Sequence, residues 1–169
     1  MNTNPEPDTI TARAWTPTPG AAVRQAATVV VLRRGDEAGA GGMQVLLMRR
    51  APRDGDIHSG ACVFPGGLVD AADAEGAALC CGLDDAAASA RLGLDRGGLV
   101  YWFAAMRECF EEAGLLYAAA QDRSHLGEAQ LAAIATQRDA LNQRQVTMAA
   151  ICHRFGVHLA ADRLAYLDH

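Results

Sequence analysis

Three closely spaced glutamates are the residues of this sequence whose types and spacing could do chemistry. Glu108, Glu111 and Glu112 follow one another at i, i+3 and i+4 in the stretch YWFAAMRECFEEAG. In a helix this spacing places three carboxylates on one patch, where like charges repel and the C-terminal end of the helix dipole disfavours anions. Two interpretations are open. The patch is either a solvated charged face, or a site where Mg²⁺ or Mn²⁺ compensates the repulsion through hard oxygen ligands.

The helix that must carry these glutamates is the clearest element in the sequence. Its apolar residues recur at helical spacing and form one stripe opposite the glutamates: Trp102, Ala105, Met106, Cys109, Phe110 and Ala113. Gly114 is placed to end the helix as a C′ residue. The stripe predicts that Trp102 lies in the core, whereas Phe103 is compatible both with the core and with stacking on a base.

Apolar, β-branched stretches upstream predict three strands. AATVVVLRR (26–34) and MQVLLMRR (43–50), joined by GDEAGAGG, predict an antiparallel pair. ACVF (61–64) predicts a third strand that ends at a Pro-Gly-Gly turn, residues 65–67. The glycines of that turn have no Cβ, so the backbone there can approach a metal or a phosphate closely.

The rest of the chain is predicted to be rich in helices. Residues 71–98 are Ala-rich with interspersed Gly and predict one or two short helices, and LLYAAA (115–120) predicts a fourth strand. From Leu126 onward only helical pattern is visible, with a break at Phe155-Gly156. The helix, glycine, helix rhythm of residues 146–167 leaves two alternatives, a helix-turn-helix or a helical cap or insert of the same domain.

Composition indicates one domain of ordinary polarity. The chain has 169 residues, half of them hydrophobic, and a net charge of −5, which argues against partners such as nucleic acid or an anionic membrane surface. Residues 1–22 are rich in Pro, Thr and Asn and predict a flexible tail. The five cysteines form no CxxC pair, so we expect reduced thiols in a cytoplasmic protein.

Two segments match the halves of a known signature. RECFEEAGL (107–115) fits the second half of the Nudix box, R-E-U-x-E-E-x-G-U with U apolar, at every fixed position. Gly67-LVDAA-Asp73 has the G-x5-E spacing of the first half, with Asp in place of Glu. Residues 74–106 separate the halves, many more than in the usual box. The sequence therefore resembles a Nudix hydrolase with an interrupted box, a subgroup related to coenzyme A and acyl-CoA diphosphatases.

The resemblance implies an α+β fold, a Nudix-type α/β/α sandwich with a mixed sheet. The domain would span residues 23–169, with an insertion at 74–100 and a helical cap or insert at 124–169. The family's sandwich needs further strands after the box, beyond the four predicted from the sequence. One expectation is therefore that the chain is a truncated product.

The resemblance also implies a chemistry, the hydrolysis of a phosphoanhydride with Mg²⁺ or Mn²⁺ as cofactor. The substrate would be a small nucleoside diphosphate derivative, of the coenzyme A, nucleotide-sugar or dinucleotide type. Glu111 and Glu112 would be the principal metal ligands, and the Gly67 carbonyl would complete the shell. Glu108 would be a further ligand or the base that activates water.

Four further residues have implied roles around these ligands. Arg107 would act with Glu108 and Glu111 as part of the catalytic group by holding the carboxylates, and Asp73 would support it. Substrate contacts would come from three residues before the insertion: Arg50, Phe64 and Gly66. Two alternatives stay open, a catalytically inactive domain that binds a nucleotide or acts as an assembly partner, and a homodimer in place of a monomer.

Overall fold

Six short strands begin the described part of the chain, and six helices with three further strands follow them. The computed structural model describes residues 23–35, 42–51 and 60–168, and the following elements belong to those ranges. The strands are β1 (Ala26–Thr28), β2 (Leu32–Arg34), β3 (Met43–Val45), β4 (Met48–Arg49), β5 (Cys62–Val63), β6 (Gly66–Leu68), β7 (Cys80–Cys81), β8 (Ala118–Ala120) and β9 (Val157–Ala160). The helices are α1 (Ala71–Gly76), α2 (Asp85–Arg91), α3 (Leu99–Ala113), α4 (Glu128–Ala135), α5 (Arg138–Asn142) and α6 (Met148–Phe155), with 3-10 turns at Ala77–Leu79 and Ala161–Arg163.

The strands pair in four small sheets within the described ranges. The predicted antiparallel pair is confirmed, because β2 pairs antiparallel with β3. β1 pairs antiparallel with β6, and β4 with β5. In the remaining sheet β9 is central, parallel to β7 and antiparallel to β8, so this sheet is mixed as predicted. The predicted tail (1–22), most of the GDEAGAGG connection and residues 52–59 lie outside the described residues.

The predicted Pro-Gly-Gly turn is wrong in part, because its glycines belong to β6. Gly66 and Gly67 lie opposite Thr28 and Ala27 of β1. The approach is close: a Cβ at Gly66 would lie 2.5 Å from the carbonyl oxygen of Ala27. Glycine is required here because the backbone of the neighbouring strand β1 leaves no room for a Cβ. A local turn signal in the sequence does not reveal such a contact.

The prediction that residues after Leu126 are only helical is also wrong. The break at Gly156 is real, since its φ of +63° ends α6, but the following residues form β9 and not a second helix. The new strand β9 lies between β7 and β8, and its residues Val157 and Leu159 are buried. This strand contradicts the helix-turn-helix alternative and raises the strand count above the predicted four. Short apolar runs cannot be assigned to strand or helix by periodicity alone.

Helix α3 runs through the core. The predicted stripe is buried, with Trp102, Met106 and Phe110 at most 5% exposed, and each such side chain stabilises the fold by about 1.5–3 kcal/mol. Phe103 is buried too, and its ring packs against Gly76, where it fills the space that a Cβ would occupy. Phe103 is therefore a core residue. Helix α3 ends at Gly114, as predicted, with a φ of +70°.

The segment between the box halves supplies the N-terminal cap of α3. Asp85 accepts hydrogen bonds from the backbone N–H groups of Gly97 (2.9 Å) and Leu99 (2.9 Å), and Ser89 Oγ accepts one from Gly98 (2.8 Å). These groups would otherwise be unsatisfied at the start of the helix. The predicted insertion, 74–100, is therefore joined to the box helix, and its last residues, 99 and 100, are the first turn of α3. Among the described helices, none is long and apolar enough to span a membrane.

Candidate active site

Arg107 lies at the centre of the box residues, nearly buried between α3, α1 and β6. Its Nε and Nη2 atoms donate to the two carboxylate oxygens of Asp73 at 2.7 and 2.9 Å. Nη2 also donates to the carbonyl of Leu68 (3.0 Å). Nη1 donates to Oε1 of Glu108 (2.8 Å) and to Oε1 of Glu111 (3.0 Å). One guanidinium thus joins the two halves of the box.

Asp73 is held in place by the local structure of α1. Asp70 caps this helix, because its side chain accepts from the N–H of Ala72 (3.0 Å) while its own N–H donates to Asp73 Oδ2 (2.7 Å). This capping box fixes the carboxylate of Asp73, which is 1% exposed, toward Arg107. Asp therefore fills the position of the longer Glu of the usual box.

Two of the three glutamates, Glu108 and Glu112, meet the backbone of β6. Glu112 Oε2 accepts a hydrogen bond from the N–H of Gly66 (2.8 Å). The carboxylate of Glu108 lies against Gly67, where a Cβ would be 2.5 Å from Oε1. Gly67 therefore leaves the space that the Glu108 carboxylate occupies. The glycine pair of β6 thus contacts two carboxylates of the glutamate patch, whereas the proposed role of the Gly67 carbonyl as a metal ligand stays a prediction.

Burial and neighbouring charges shift the pKa values of two members of the cluster, Arg107 and Glu108. For Arg107, burial alone lowers the pKa, but the hydrogen bonds and charge of Asp73, with the charge of Glu108, raise the pKa above its ordinary value. For Glu108, burial raises the pKa above its ordinary value, the nearby Arg107 opposes this, and the charges of Glu111 and Glu112 add to it. The cluster thus carries more carboxylates than the buried guanidinium of Arg107 balances.

The chemistry of the donors fits a hard divalent cation. Within the described residues, Glu108 and Glu111 use Oε1 for Arg107 and Glu112 uses Oε2 for Gly66, so each carboxylate keeps a second oxygen for a ligand. Oxygen donors of this kind suit Mg²⁺ and Mn²⁺. In the described part of the chain, however, no three His, Cys, Asp or Glu side chains already converge on one point in metal-binding geometry. The oxygen donors are present, and a cation held by three of these side chains would require them to rotate.

Of the three predicted substrate-contacting residues, one is joined to the carboxylate cluster by a hydrogen bond. Gly66 belongs to the cluster through Glu112. Phe64, two residues earlier, is 39% exposed. Arg50 follows β4, where its N–H donates to the carbonyl of Ala61 (3.0 Å) and its side chain is exposed. Among the contacts of the described residues, none joins Arg50 to the carboxylates, so its role and that of Phe64 stay predictions.

Sequence reasoning missed the residues that hold the ends of α3. Asp85 and Ser89 hold its first turn, and Arg138 and Asn142 donate to carbonyls of its last turn. The pair Asp84-Asp85 was a recognisable helix start for α2. No local signal could identify Arg138, which lies 27 residues from Glu111 in the chain.

An apolar groove lies on a different part of the molecule. It has a volume of about 890 Å³ and is lined by residues 26–32 and by Trp102, Tyr117 and Leu164, among others. Trp102 belongs to the apolar stripe of α3, whereas the glutamates point away from that stripe. The groove is therefore separate from the carboxylate cluster.

Comparison with known proteins gives one informative similarity. No protein-family profile matches the sequence, and no curated protein matches it. Among solved structures, the crystal structure of a NUDIX hydrolase from Alicyclobacillus acidocaldarius is similar, with a TM-score of 0.53 and 26% sequence identity. The match covers 84% of this chain and 59% of that one, so this chain spans about three fifths of that protein's length. Over most of its length this chain is therefore similar in fold to a NUDIX hydrolase.

Proposed function

We propose that this protein is a divalent-metal-dependent Nudix pyrophosphohydrolase. The observation that carries the proposal is the meeting of the two box halves across a long intervening segment. Asp73 and Arg107 form a bidentate ion pair, and Glu112 bonds to Gly66 at 2.8 Å. The structural similarity to a Nudix hydrolase supports the same general activity.

Each box residue has a role that its position supports. Glu111 and Glu112 would hold the cation with their second oxygens, and the Gly67 carbonyl would add a ligand. A bound Mg²⁺ or Mn²⁺ would neutralise phosphate oxygens and lower the pKa of a water molecule. Glu108 would either add a ligand or take the proton of the attacking water at Oε2. Arg107 would hold Glu108 and Glu111 in place, because its Nη1 donates to both carboxylates.

The proposed substrate is a nucleoside diphosphate derivative, with a coenzyme A-like compound as the first candidate. Its pyrophosphate is anionic, and the protein has a net charge of −5. Binding of the substrate is therefore proposed to depend on a cation that screens the negative pyrophosphate from the negative charge of the protein. Arg50 and Phe64 are proposed to contact the remainder of the substrate.

Turnover of a substrate panel tests the proposal. The protein would be incubated with coenzyme A, ADP-ribose and a dinucleoside polyphosphate, each with Mg²⁺ and with Mn²⁺. Glu111→Gln and Glu112→Gln should each lower kcat by about a hundredfold or more, because ligands to a catalytic metal are lost. Glu128→Gln is the matched control, since Glu128 is exposed in the first turn of α4. Unchanged turnover in both box variants would reject the site.

A second candidate is a Nudix-like domain that binds a nucleotide without cleaving it. The specific observation in its favour is that Arg107 already pairs with Glu108 and Glu111 at 2.8 and 3.0 Å, so one oxygen of each carboxylate is already engaged. Calorimetry with the same compounds separates the two candidates. Binding without product formation in the presence of metal selects this second candidate, and turnover excludes it.

A further inference from the structure

The last turn of α3 needs support from outside the helix. Its terminal carbonyls have no intrahelical N–H partners, and three carboxylates stand near the negative end of the helix dipole. The αL cap at Gly114 satisfies only part of this requirement, because the N–H groups of Gly114 and Leu115 reach the carbonyls of Phe110 (3.0 Å) and Cys109 (3.4 Å). The carbonyls of Glu111 and Glu112 need other donors.

Arg138, the first residue of α5, supplies those donors. Its Nε donates to the carbonyl of Glu111 (2.9 Å) and its Nη2 donates to the carbonyl of Glu112 (2.7 Å). Asn142, one turn further along α5, donates a longer bond to the carbonyl of Glu111 (3.3 Å). The half-buried guanidinium also places a positive charge where the dipole favours one.

The backbone that Arg138 holds belongs to the residues that reach the site. The side chain of Glu111 bonds to Arg107, and that of Glu112 bonds to the N–H of Gly66. Movement of the last turn would therefore move both carboxylates relative to β6. Arg138 bonds the main chain of α3, so it acts on the carboxylates through their own backbone.

We infer that Arg138 is a positioning residue for the carboxylates of Glu111 and Glu112. The segment after residue 124 thereby takes part in forming the site, although its side chains need not contact a substrate. The inference rests on the proposed function only for the identity of the ligand, the metal ion that the carboxylates would hold. The positioning itself can be observed without metal.

Amide hydrogen exchange at Gly66 tests the positioning in the metal-free protein. The N–H of Gly66 donates to the carboxylate of Glu112, so its exchange rate measures whether that hydrogen bond is formed. Arg138→Met should speed Gly66 exchange by about tenfold after correction for global unfolding, measured on the same samples in urea. Glu112→Ala, which removes the acceptor, should give at least the same increase.

The matched control is Arg123→Met, which removes an exposed arginine whose ion pair is with Asp162 and not with α3. Its Gly66 exchange should equal that of the wild type. Arg138→Lys keeps the charge and can serve one carbonyl, so it should fall between wild type and Arg138→Met, and it replaces Arg138→Met if that variant does not fold. Wild-type exchange rates at Gly66 in the Arg138 variants would overturn the inference.

Titration with Mn²⁺ alone, without substrate, links the positioning to the proposed metal site. The Kd for Mn²⁺ should rise by about tenfold in Arg138→Met and be unchanged in Arg123→Met. If wild-type protein binds no Mn²⁺, the proposed function fails, while the exchange result still decides the role of Arg138. If wild type and Arg138→Met bind Mn²⁺ equally, the inference fails and the proposed function stands.

Discussion

At the scale of single residues, Arg107 is the side chain on which the site depends. Its guanidinium uses Nε and Nη2 for Asp73 and Nη1 for two glutamates. Only arginine has enough donors in a planar fork to serve all of these acceptors together. The Nudix resemblance implies that Arg107 holds the carboxylates with support from Asp73, and these hydrogen bonds are the contacts that such a role would use.

Removing the partner of a buried arginine should be costly. In Asp73→Asn the nearly buried Arg107 loses its bidentate carboxylate, so the free energy of unfolding should fall by about 3 kcal/mol. Urea unfolding measures this change. Asp95→Asn, at an exposed position, should leave the free energy within about 0.5 kcal/mol of wild type. A similar small loss in Asp73→Asn would show that the ion pair contributes little.

Gly67 should be essential for the site and much less so for the fold. In Gly67→Ala the new Cβ would lie 2.5 Å from Oε1 of Glu108, so the Glu108 side chain must move. We expect turnover to fall by at least about tenfold while the unfolding free energy changes by about 1 kcal/mol or less. Gly127→Ala, where a Cβ meets no atom within 4 Å, is the control. Full activity in Gly67→Ala would contradict the placement of Glu108.

At the scale of elements, the box helix and the β2–β3 pair could be predicted, whereas the pairing of β7 with β9 could not. The helix has a long apolar stripe and a glycine stop, and both are local properties of the sequence. β7 and β9 have two and four residues, and they form because distant segments pair with them. The same limit applies to Arg138, whose bonds to α3 depend on how α5 packs and not on any spacing in the chain.

The N-terminal cap of α3 should contribute measurably to stability. Asp85→Ala removes the acceptor for the N–H groups of Gly97 and Leu99, so the free energy of unfolding should fall by about 1 kcal/mol near neutral pH. The bonds from Leu99 and Gly97 lower the pKa of Asp85 below its ordinary value. The difference in unfolding free energy between wild type and Asp85→Ala should therefore be fully present above the ordinary carboxyl pKa of about 3.9. It should disappear as pH falls through the lower pKa that Asp85 has in the folded protein.

Urea unfolding of both proteins across this pH range checks the prediction. Asp95→Asn is again the control, because it should show no comparable change with pH. A stability difference between wild type and Asp85→Ala that stays constant through the acid range would contradict the charged cap. No difference at neutral pH would show that the intervening segment does not support α3.

At the scale of the whole molecule, the cysteines report on the packing around α3. All five are free, as predicted; Cys62 is exposed, whereas Cys109 and Cys152 are buried. Burial raises the pKa of Cys152 and of Cys80 to about 12, with the charge of Cys152 adding to the shift of Cys80. These thiols are therefore protonated near neutral pH and should react slowly with alkylating reagents.

Alkylation of the native protein followed by peptide mass spectrometry tests this packing. Cys62 should be modified first at about pH 8, and Cys109 and Cys152 should react only after urea unfolds the protein. Labelling of unfolded protein, in which all five should react, is the control. Native modification of Cys152 as fast as that of Cys62 would mean that α6 does not pack as described.

At this scale the sequence showed strands upstream and helical pattern downstream, and the Nudix resemblance implied the α+β fold class. The one strand described within the C-terminal segment, β9, was not visible in the sequence, and it joins that segment to the rest of the fold through β7 and β8. The same segment reaches α3 through Arg138. Residues 124–168 are therefore integrated with the box helix, in contrast to a purely helical cap.

Hydrolysis of a coenzyme A-like diphosphate in oxygen-18-labelled water, with Mg²⁺ or Mn²⁺, tests the proposed reaction more directly than any variant alone. Attack of water at phosphorus should give two phosphate monoesters, with the label in the phosphate of one of them. The reaction should require the metal and be lost in Glu111→Gln/Glu112→Gln. Cleavage that places the label outside a phosphate group, or that persists in the double variant, would contradict the proposed reaction.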